Sequence, residues 1–530
     1  MFYAVKYYLV KFLSLPFFLI LLFSSVDPVC AQQEMVDTAV FRMIRNAEMN
    51  SSQVPEIAHY LTDVAGSRLT NSPGFYRAAN WSIETMKKWG LANARLEPWG
   101  EYGRGWEPEE FNISMRVPYY GYIIGYPLPW SSNTNGEIRA SLVELSNAQL
   151  MDSAYLEKHK DDFKGKIILF TGTPSKRLDD AKPFSTRYSD SELVKLPNLY
   201  MINHYAIDAY QQSARLNERG KLQLKSAGAL ATVTINNRGR DGTVTVQNSK
   251  GYKTGSPELL PAAIISSEDG SRIKRLMASG HTVELALLIK GKFYDEDTKG
   301  YNVVAEIPGT DPKLKDQVVM LGGHLDSWNA ATGATDNAAG CVVMMEAVRL
   351  LDSLHLKPKR TIRIALWSGE EQAVLGSYNY VKNHFGNGET GLVKPEQAKI
   401  SAYFNLDNGS GKIRGIYAQS DTAIKPIFEQ WLVPFNDLGA KTVTLSSTGS
   451  TDHISFDWAG IPAFQFIQDQ LDYETKTHHS NMDTYDYLQI EDLKQAAIIV
   501  ASFVYQTSIR PELLPRKKII VKEKFAFEGL

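Results

Sequence analysis

The amino-acid sequence predicts an α/β protein: a mixed, mostly parallel central sheet flanked by helices, with a β-rich module inserted ahead of its main part. Three observations lead there. The chain has 530 residues, more than one ordinary domain holds. Over 298–510, short apolar runs ("YNVVAEIPG", "QVVMLGGHL", "TIRIALW", "ISAYFNL", "PAFQFIQ") alternate with helical periods ("NAAGCVVMMEAVRLLDSL", "EQAVLGSYNYVKNHF", "AIKPIFEQWLVPF", "IEDLKQAAIIVASFVYQTS"). Alternation of that kind builds a parallel sheet with helices on its faces. Over 118–297 the texture is instead rich in strands and turns ("GKIILFTG", "GALATVTINN", "GTVTVQ", "LLPAAIISS", "TVELALLIKG"), with few long helical periods.

The elements follow in order. Residues 1–31 read as an export signal: Lys6 and Lys11 lead into "FLSLPFFLILLFSSV", and "VCA" ends at Ala31 with small residues at the cleavage position. The mature protein is therefore expected in a periplasm or outside the cell, with no membrane span. Residues 35–117 open the first part of the fold with two helices, "TAVFRMIRNAEM" and "FYRAANWSIETMKKWG", the second ended by Gly90. The module at 118–297 and the main part at 298–510 come next. A basic tail, 511–530, closes the chain. A net charge of −2 gives no basis for binding nucleic acid or an anionic membrane. Of two cysteines, cleavage removes Cys30 and leaves Cys341 in an apolar helical run, so the fold cannot rely on an internal disulfide.

In a parallel sheet, sites form beyond the carboxyl ends of the strands. Each apolar run of 298–510 ends on chemistry. "VVMLGG" is followed by His324 and Asp326, "TIRIALWSG" by Glu370 and Glu371, and "SAYFNL" by Asp407. A loop after "PAFQFIQ" carries His478, His479 and Asp483, and Asp336 precedes a helix in "ATGATDNAAG". Each alone has an ordinary explanation: Asp336 as a helix N-cap, the glutamates as favourable charges at a helix start, a loop histidine as solvated. Their convergence on one sheet edge argues otherwise.

Zinc takes imidazole nitrogen and carboxylate oxygen and keeps a position open for water at catalytic sites. Two zincs about 3.5–4 Å apart clamp the attacking and developing oxygens of a hydrolysis. A carboxylate shared between them and a further, unbound carboxylate that takes the proton from the bridging water complete the set. Adjacent Glu370 and Glu371 then divide the work, one as base and one as ligand, and the cations offset their repulsion. Asp326 is placed to accept the other imidazole N–H of His324.

These segments, "GGHLDSWNAATGATDNAAG", "LWSGEEQAVLGS", "FNLDNG", "STDHISFDWAGIPAF" and "HHSNMDT", resemble the co-catalytic zinc exopeptidases, the family of aminopeptidases and glutamate carboxypeptidases. "HLDSW" and "KPKRTIRIALWSGEEQ" bring the likeness nearest to its carboxypeptidase Q subgroup. "GATDNAAG" looks more like the wider family. The resemblance implies a three-layer sandwich of the phosphorylase/hydrolase kind and a protease-associated domain at 118–297. It implies two zincs per subunit, with His324 and Asp407 on one, Glu371 and His479 on the other, and Asp336 bridging. Glu370 becomes general base and later general acid, with Asp326 supporting. His478, and with less support Asp452 and His453, are candidates for substrate or oxyanion contact. Asp336-Asn337 is a candidate cis peptide. The implied activity is hydrolysis of dipeptides or short peptides, with aminopeptidase or carboxypeptidase action as alternatives and a glutaminyl cyclase or an inactive binding homologue as more distant ones. A homodimer is implied as well. Among cations able to meet a substrate carboxylate, Arg187, Arg240 and Arg414 stand without a ground for choosing.

Overall fold

Two eight-stranded sheets organise the described residues. The computed structural model describes residues 34–171, 183–199, 204–248, 250–388 and 390–517. The expected export signal with Cys30, and residues 518–530 of the tail, lie outside the described residues. Among those described, no helix is long and apolar enough to cross a membrane.

The first sheet runs in the order Ala92–Glu101, Lys299–Ile307, Thr361–Trp367, Val318–His324, Ile400–Asn405, Ala463–Gln468, Ile413–Tyr417, Thr442–Thr444. The four central strands, Thr361–Trp367 through Ala463–Gln468, are mutually parallel. Lys299–Ile307 and Ile413–Tyr417 flank them in antiparallel pairing. The sheet is thus mixed with a parallel centre, as the alternation of apolar runs and helices predicts. Its central strands carry apolar residues in succession because both faces are covered.

Alternate residues feed separate layers. Val303, Val319, Leu321, Ile364 and Phe404 pack towards the helices Thr38–Ser51, Pro73–Trp89, Ala339–Ser353 and Ile490–Ile509. Val304, Met320, Ala365, Trp367 and Tyr403 pack on the other face, against Leu375–His384 and His453–Trp458. Gly90 ends the helix Pro73–Trp89 at φ +100°, a left-handed cap that glycine adopts without strain.

The second sheet runs Gly121–Tyr122, Gly105–Val117, Glu284–Tyr294, Ile138–Ser146, Ile167–Thr171, Ala231–Ile235, Ala262–Ile265, Gly125–Pro127, around its own core of Ile113, Leu169, Val233, Ile265 and Leu287. Three features differ from the sequence reading. Gly105–Val117 pairs with Glu284–Tyr294, so these residues stand in the second sheet and not with the first; their four charged residues and Pro108 hide a long strand. The helices His204–Ser226 and Ser267–Ala278 accompany this sheet where few were expected. The second buries Gly270 and Ile273, with Leu276 and Met277 half-buried against the same core. "GTVTVQ" forms no strand; it makes a single bridge, Thr245 to Ser480.

One buried acid couples packing to pH. Glu48, fully buried under the first sheet's helices, lies against Glu346, whose carboxylate accepts from Arg349 Nε and Nη2 at 2.6 Å each. Burial and the neighbouring Glu346 push Glu48 up to about 9. The folded chain therefore holds a proton that the unfolded chain releases above its ordinary range of about 4.3. Stability is lost as pH rises from that range towards 9. Glu48→Gln is expected to remove this loss: thermal midpoints measured at pH 5, 7 and 9 should fall less steeply in the variant than in the parent.

Candidate metal and catalytic centre

The four parallel strands end side by side, and each delivers one part of the site. His324 is the last residue of Val318–His324 and is 1% exposed. Thr361–Trp367 runs into a turn with Gly369 at φ +66°, followed by Glu370 and Glu371. Asp407 follows Ile400–Asn405, and the loop beyond Ala463–Gln468 brings in His478 and His479. Asp336 comes from the irregular segment Ala334–Ala338, where its peptide bond to Asn337 is cis.

Asp336 stands between two imidazoles. Its Oδ1 is 3.3 Å from His324 Nε2 and its Oδ2 is 3.3 Å from His479 Nε2. Asp407 Oδ1 completes one side at 3.4 Å from His324 Nε2, and Glu371 Oε2 the other at 2.9 Å from His479 Nε2. Glu370 Oε2 stays further out, 3.9 Å from His324 Nε2. His478 Nε2 is also 3.9 Å from Asp336 Oδ2. The ordinary explanations fail on position. The helix after Asp336 has Ala338 at its N-cap, with no side-chain cap. The helix after the glutamates starts only at Leu375.

Asp336 Oδ2, Glu371 Oε1 and Asp407 Oδ1 are buried with no hydrogen-bond partner. Carboxylates left so in a buried site call for cations. Burial, then the carboxylates of Asp407, Asp452 and Asp326 against the opposing His324, push Glu370 well above the ordinary range. Burial likewise pushes up Glu371, with Asp336 adding to it. Burial pulls His479 down to about 3, against the attraction of Asp336, and so keeps its ring neutral. Burial also opposes charge on His324, but Asp407 and Glu370 outweigh it and hold that imidazole well above its usual range.

Asp326 acts differently from expectation. His324 Nδ1 pairs with the backbone carbonyl of Asp326 at 2.9 Å, while the carboxylate is 3.7 Å away. The carboxylate instead accepts the backbone N–H groups of Glu370 (3.2 Å) and Glu371 (3.3 Å) and the hydroxyl of Thr70 (3.0 Å). Thr70 Oγ1 in turn accepts the N–H of Gly369. Trp99 and Tyr102 hold the two ends of the same turn through Ser368 and Gln372. Asp452 and His453 are fully buried. His453 Nε2 stands 3.1 Å from the carbonyl of Thr448. Asp452 has no partner on either oxygen, and burial pushes it up to about 8.

Other supporting residues escape a reading of the sequence. Arg68, fully buried, donates to the carbonyls of Leu61, Leu325, Thr332 and Gly333 and so ties together the loops around the centre. Its partners are distant backbone atoms, which carry no sequence signal. Asp483, visible in the motif but without an assigned role, accepts from Thr335 N (2.6 Å), Thr335 Oγ1 (2.7 Å) and Asp336 N (3.1 Å). Of the three arginines weighed, Arg187 is engaged by Asp469 and Asp492, Arg414 by Asp469, and Arg240 lies over the ring of Phe184. A further arginine, Arg238, lies beside His478, with Nη2 3.4 Å from its Nδ1.

Residues 302–504, which include the whole paired set, match peptidase family M28. Over 459 residues the chain is 27% identical to carboxypeptidase Q of Pongo abelii, covering 86% of this chain and 85% of that protein. A solved peptidase M28 precursor from Shewanella amazonensis SB2B shares the fold, with a TM-score of 0.66 at 24% identity over 91% of this chain and 98% of its own. So does BSAP, a zinc aminopeptidase from Bacillus subtilis, with a TM-score of 0.55 at 20% identity over 88% and 98%.

Because Asp483 fixes the backbone that presents Asp336, Asp483→Asn is expected to lower peptide hydrolysis about 10- to 100-fold, the cost typical of losing a partner behind a metal ligand. Steady-state kinetics on a protein shown to be folded by circular dichroism check it.

Proposed function

We propose that the chain is an exported, zinc-dependent exopeptidase that hydrolyses dipeptides or short peptides, with Glu370 as its general base. The observation that carries this reading is the pair of carboxylate–imidazole sets sharing Asp336, whose unpartnered oxygens fit cations. His324 and Asp407 would hold one zinc, Glu371 and His479 the other, and Asp336 both. Zinc supplies Lewis acidity, which polarises a peptide carbonyl and makes water a better nucleophile at neutral pH.

The chain's own residues do the rest. Glu370 takes a proton from the attacking water and passes it to the amine that leaves when the C–N bond breaks. Standing further from His324 than Asp336 and Asp407 do, it is left free of the ligand sets to carry that proton. Asp326, through two backbone N–H groups, holds Glu370 and Glu371 in one fixed orientation. His478, at the outer side of Asp336, is placed to stabilise the oxyanion. Arg238 supports a substrate with a free carboxylate close to the scissile bond, as in a dipeptide. Export rests on the signal read in residues 1–31.

A panel of free dipeptides, N-acetylated dipeptides and dipeptide amides, offered to the zinc-loaded protein, tests the reading. Free dipeptides should be cut and both blocked forms resist. Cleavage of amides but not of acetylated forms would make it an aminopeptidase. Glu370→Gln should lower the rate about 100- to 10,000-fold, the usual worth of a positioned base, and chelation should abolish it with recovery on adding zinc. If neither change matters, the mechanism is wrong. Arg238→Met should raise KM for free dipeptides while leaving kcat near the parent value; an unchanged KM removes Arg238 from substrate binding.

A further inference from the structure

The stretch read as a strand, "GTVTVQ", leaves the second sheet and runs beside the loop that carries His479. Thr245 and Ser480 form an antiparallel bridge. Val246 N donates to the carbonyl of His479 at 2.8 Å, and Asn481 N to the carbonyl of Val244 at 3.0 Å. Val244 N donates to Asn481 Oδ1 at 2.7 Å. Where this pairing ends, Gln247 stands at the ring itself: its Oε1 is 3.3 Å from His479 Nδ1. The opposite ring nitrogen, Nε2, faces Glu371 and Asp336.

We propose that Gln247 is a positioning residue for His479, and that segment 243–247 of the second-sheet module governs one of the two metal positions. The assignment rests on the two-zinc reading above. An imidazole ligand offers one bare nitrogen to the metal and carries its proton on the other, and the partner of that N–H fixes both tautomer and ring orientation. For His324 the partner is local, the carbonyl of Asp326 two residues away. For His479 it comes from Gln247, more than two hundred residues away in the second-sheet module.

The surroundings of His479 show why outside help is needed. Its backbone sits at φ +57°, a left-handed conformation few residues other than glycine adopt. Its carbonyl is held by Val246 N–H, so the same segment fixes both backbone and ring. Trp328 meets the ring in an edge contact with centroids 6.0 Å apart and offers it an apolar wall. The Gln247 amide oxygen accepts the Nδ1 proton without adding charge beside Asp336 and Glu371. Gln247 is exposed, so replacing it disturbs no core.

Zinc content of the full-length chain, measured across a series of chelator concentrations for parent, Gln247→Leu and Gln247→Glu, together with melting of the metal-free proteins, tests this. The parent should hold two zincs. Gln247→Leu should weaken one of them about 10- to 100-fold and leave the other unchanged. Gln247→Glu, which keeps an acceptor, should retain both, and all three metal-free proteins should melt together. Retention of both zincs by Gln247→Leu at parental affinity overturns the assignment. So does parallel loss of both zincs with a lowered melting temperature, which would mark a merely structural residue. A parent chain that holds fewer than two zincs is a distinct result: it overturns the metal reading and this assignment with it.

Discussion

The structure depends on one electrostatic constraint: six carboxylates, Asp326, Asp336, Glu370, Glu371, Asp407 and Asp452, are gathered at one edge of a buried sheet. Charge so placed has to be answered by donors or by cations. Asp326 is answered by two backbone N–H groups and a hydroxyl, as is Asp483 nearby. Asp336, Glu371 and Asp407 keep buried oxygens that accept no hydrogen bond from the protein. The fold is therefore organised around an unfinished balance, which paired zinc ions of suitable charge would complete. Arg68 contributes a buried positive charge, but it donates to carbonyls and leaves those carboxylates open.

What a sequence reveals and what it conceals divide along a physical line. The central sheet was legible because strands buried on both faces must be apolar throughout, and the residues just past them must be where the chemistry stands. His324, Asp336, Glu370, Glu371, Asp407 and His479 meet as that rule implies, and the bond after Asp336 is cis. The supports were not legible. Thr70 and Arg68 act through backbone groups up to hundreds of residues away, and a backbone carbonyl looks the same in every sequence. Asp326 shows the same limit from the other side: the residue was identified, but its carboxylate serves the N–H groups of Glu370 and Glu371, while its backbone carbonyl serves His324. In the second sheet, charge and proline in Gly105–Val117 masked a strand, and β-branched residues in "GTVTVQ" imitated one.

The two sheets share more than a chain connection. A buried aromatic group of Trp99, Tyr102, Trp106, Trp130, Tyr252 and Trp328 draws on segments from both parts. It reaches the centre at two places, the glutamate turn through Trp99 and Tyr102, and the ring of His479 through Trp328. Rigid rings of this size hold geometry by shape, with little entropy left to lose. The loop bearing His478 and His479 is meanwhile held by Leu471 against Thr186 and by Ser480 against Thr245.

The placement of Glu370 and Glu371 on consecutive residues, with both N–H groups on one carboxylate, has a bearing on how the site can be altered. One peptide unit fixes the spacing between the two carboxylates, so neither can be moved without displacing the other. The outer side of the site, where Arg238 reaches His478, is instead assembled from segments far apart in the chain. The turn therefore behaves as one rigid unit of contiguous atoms, while the outer side can be altered one residue at a time.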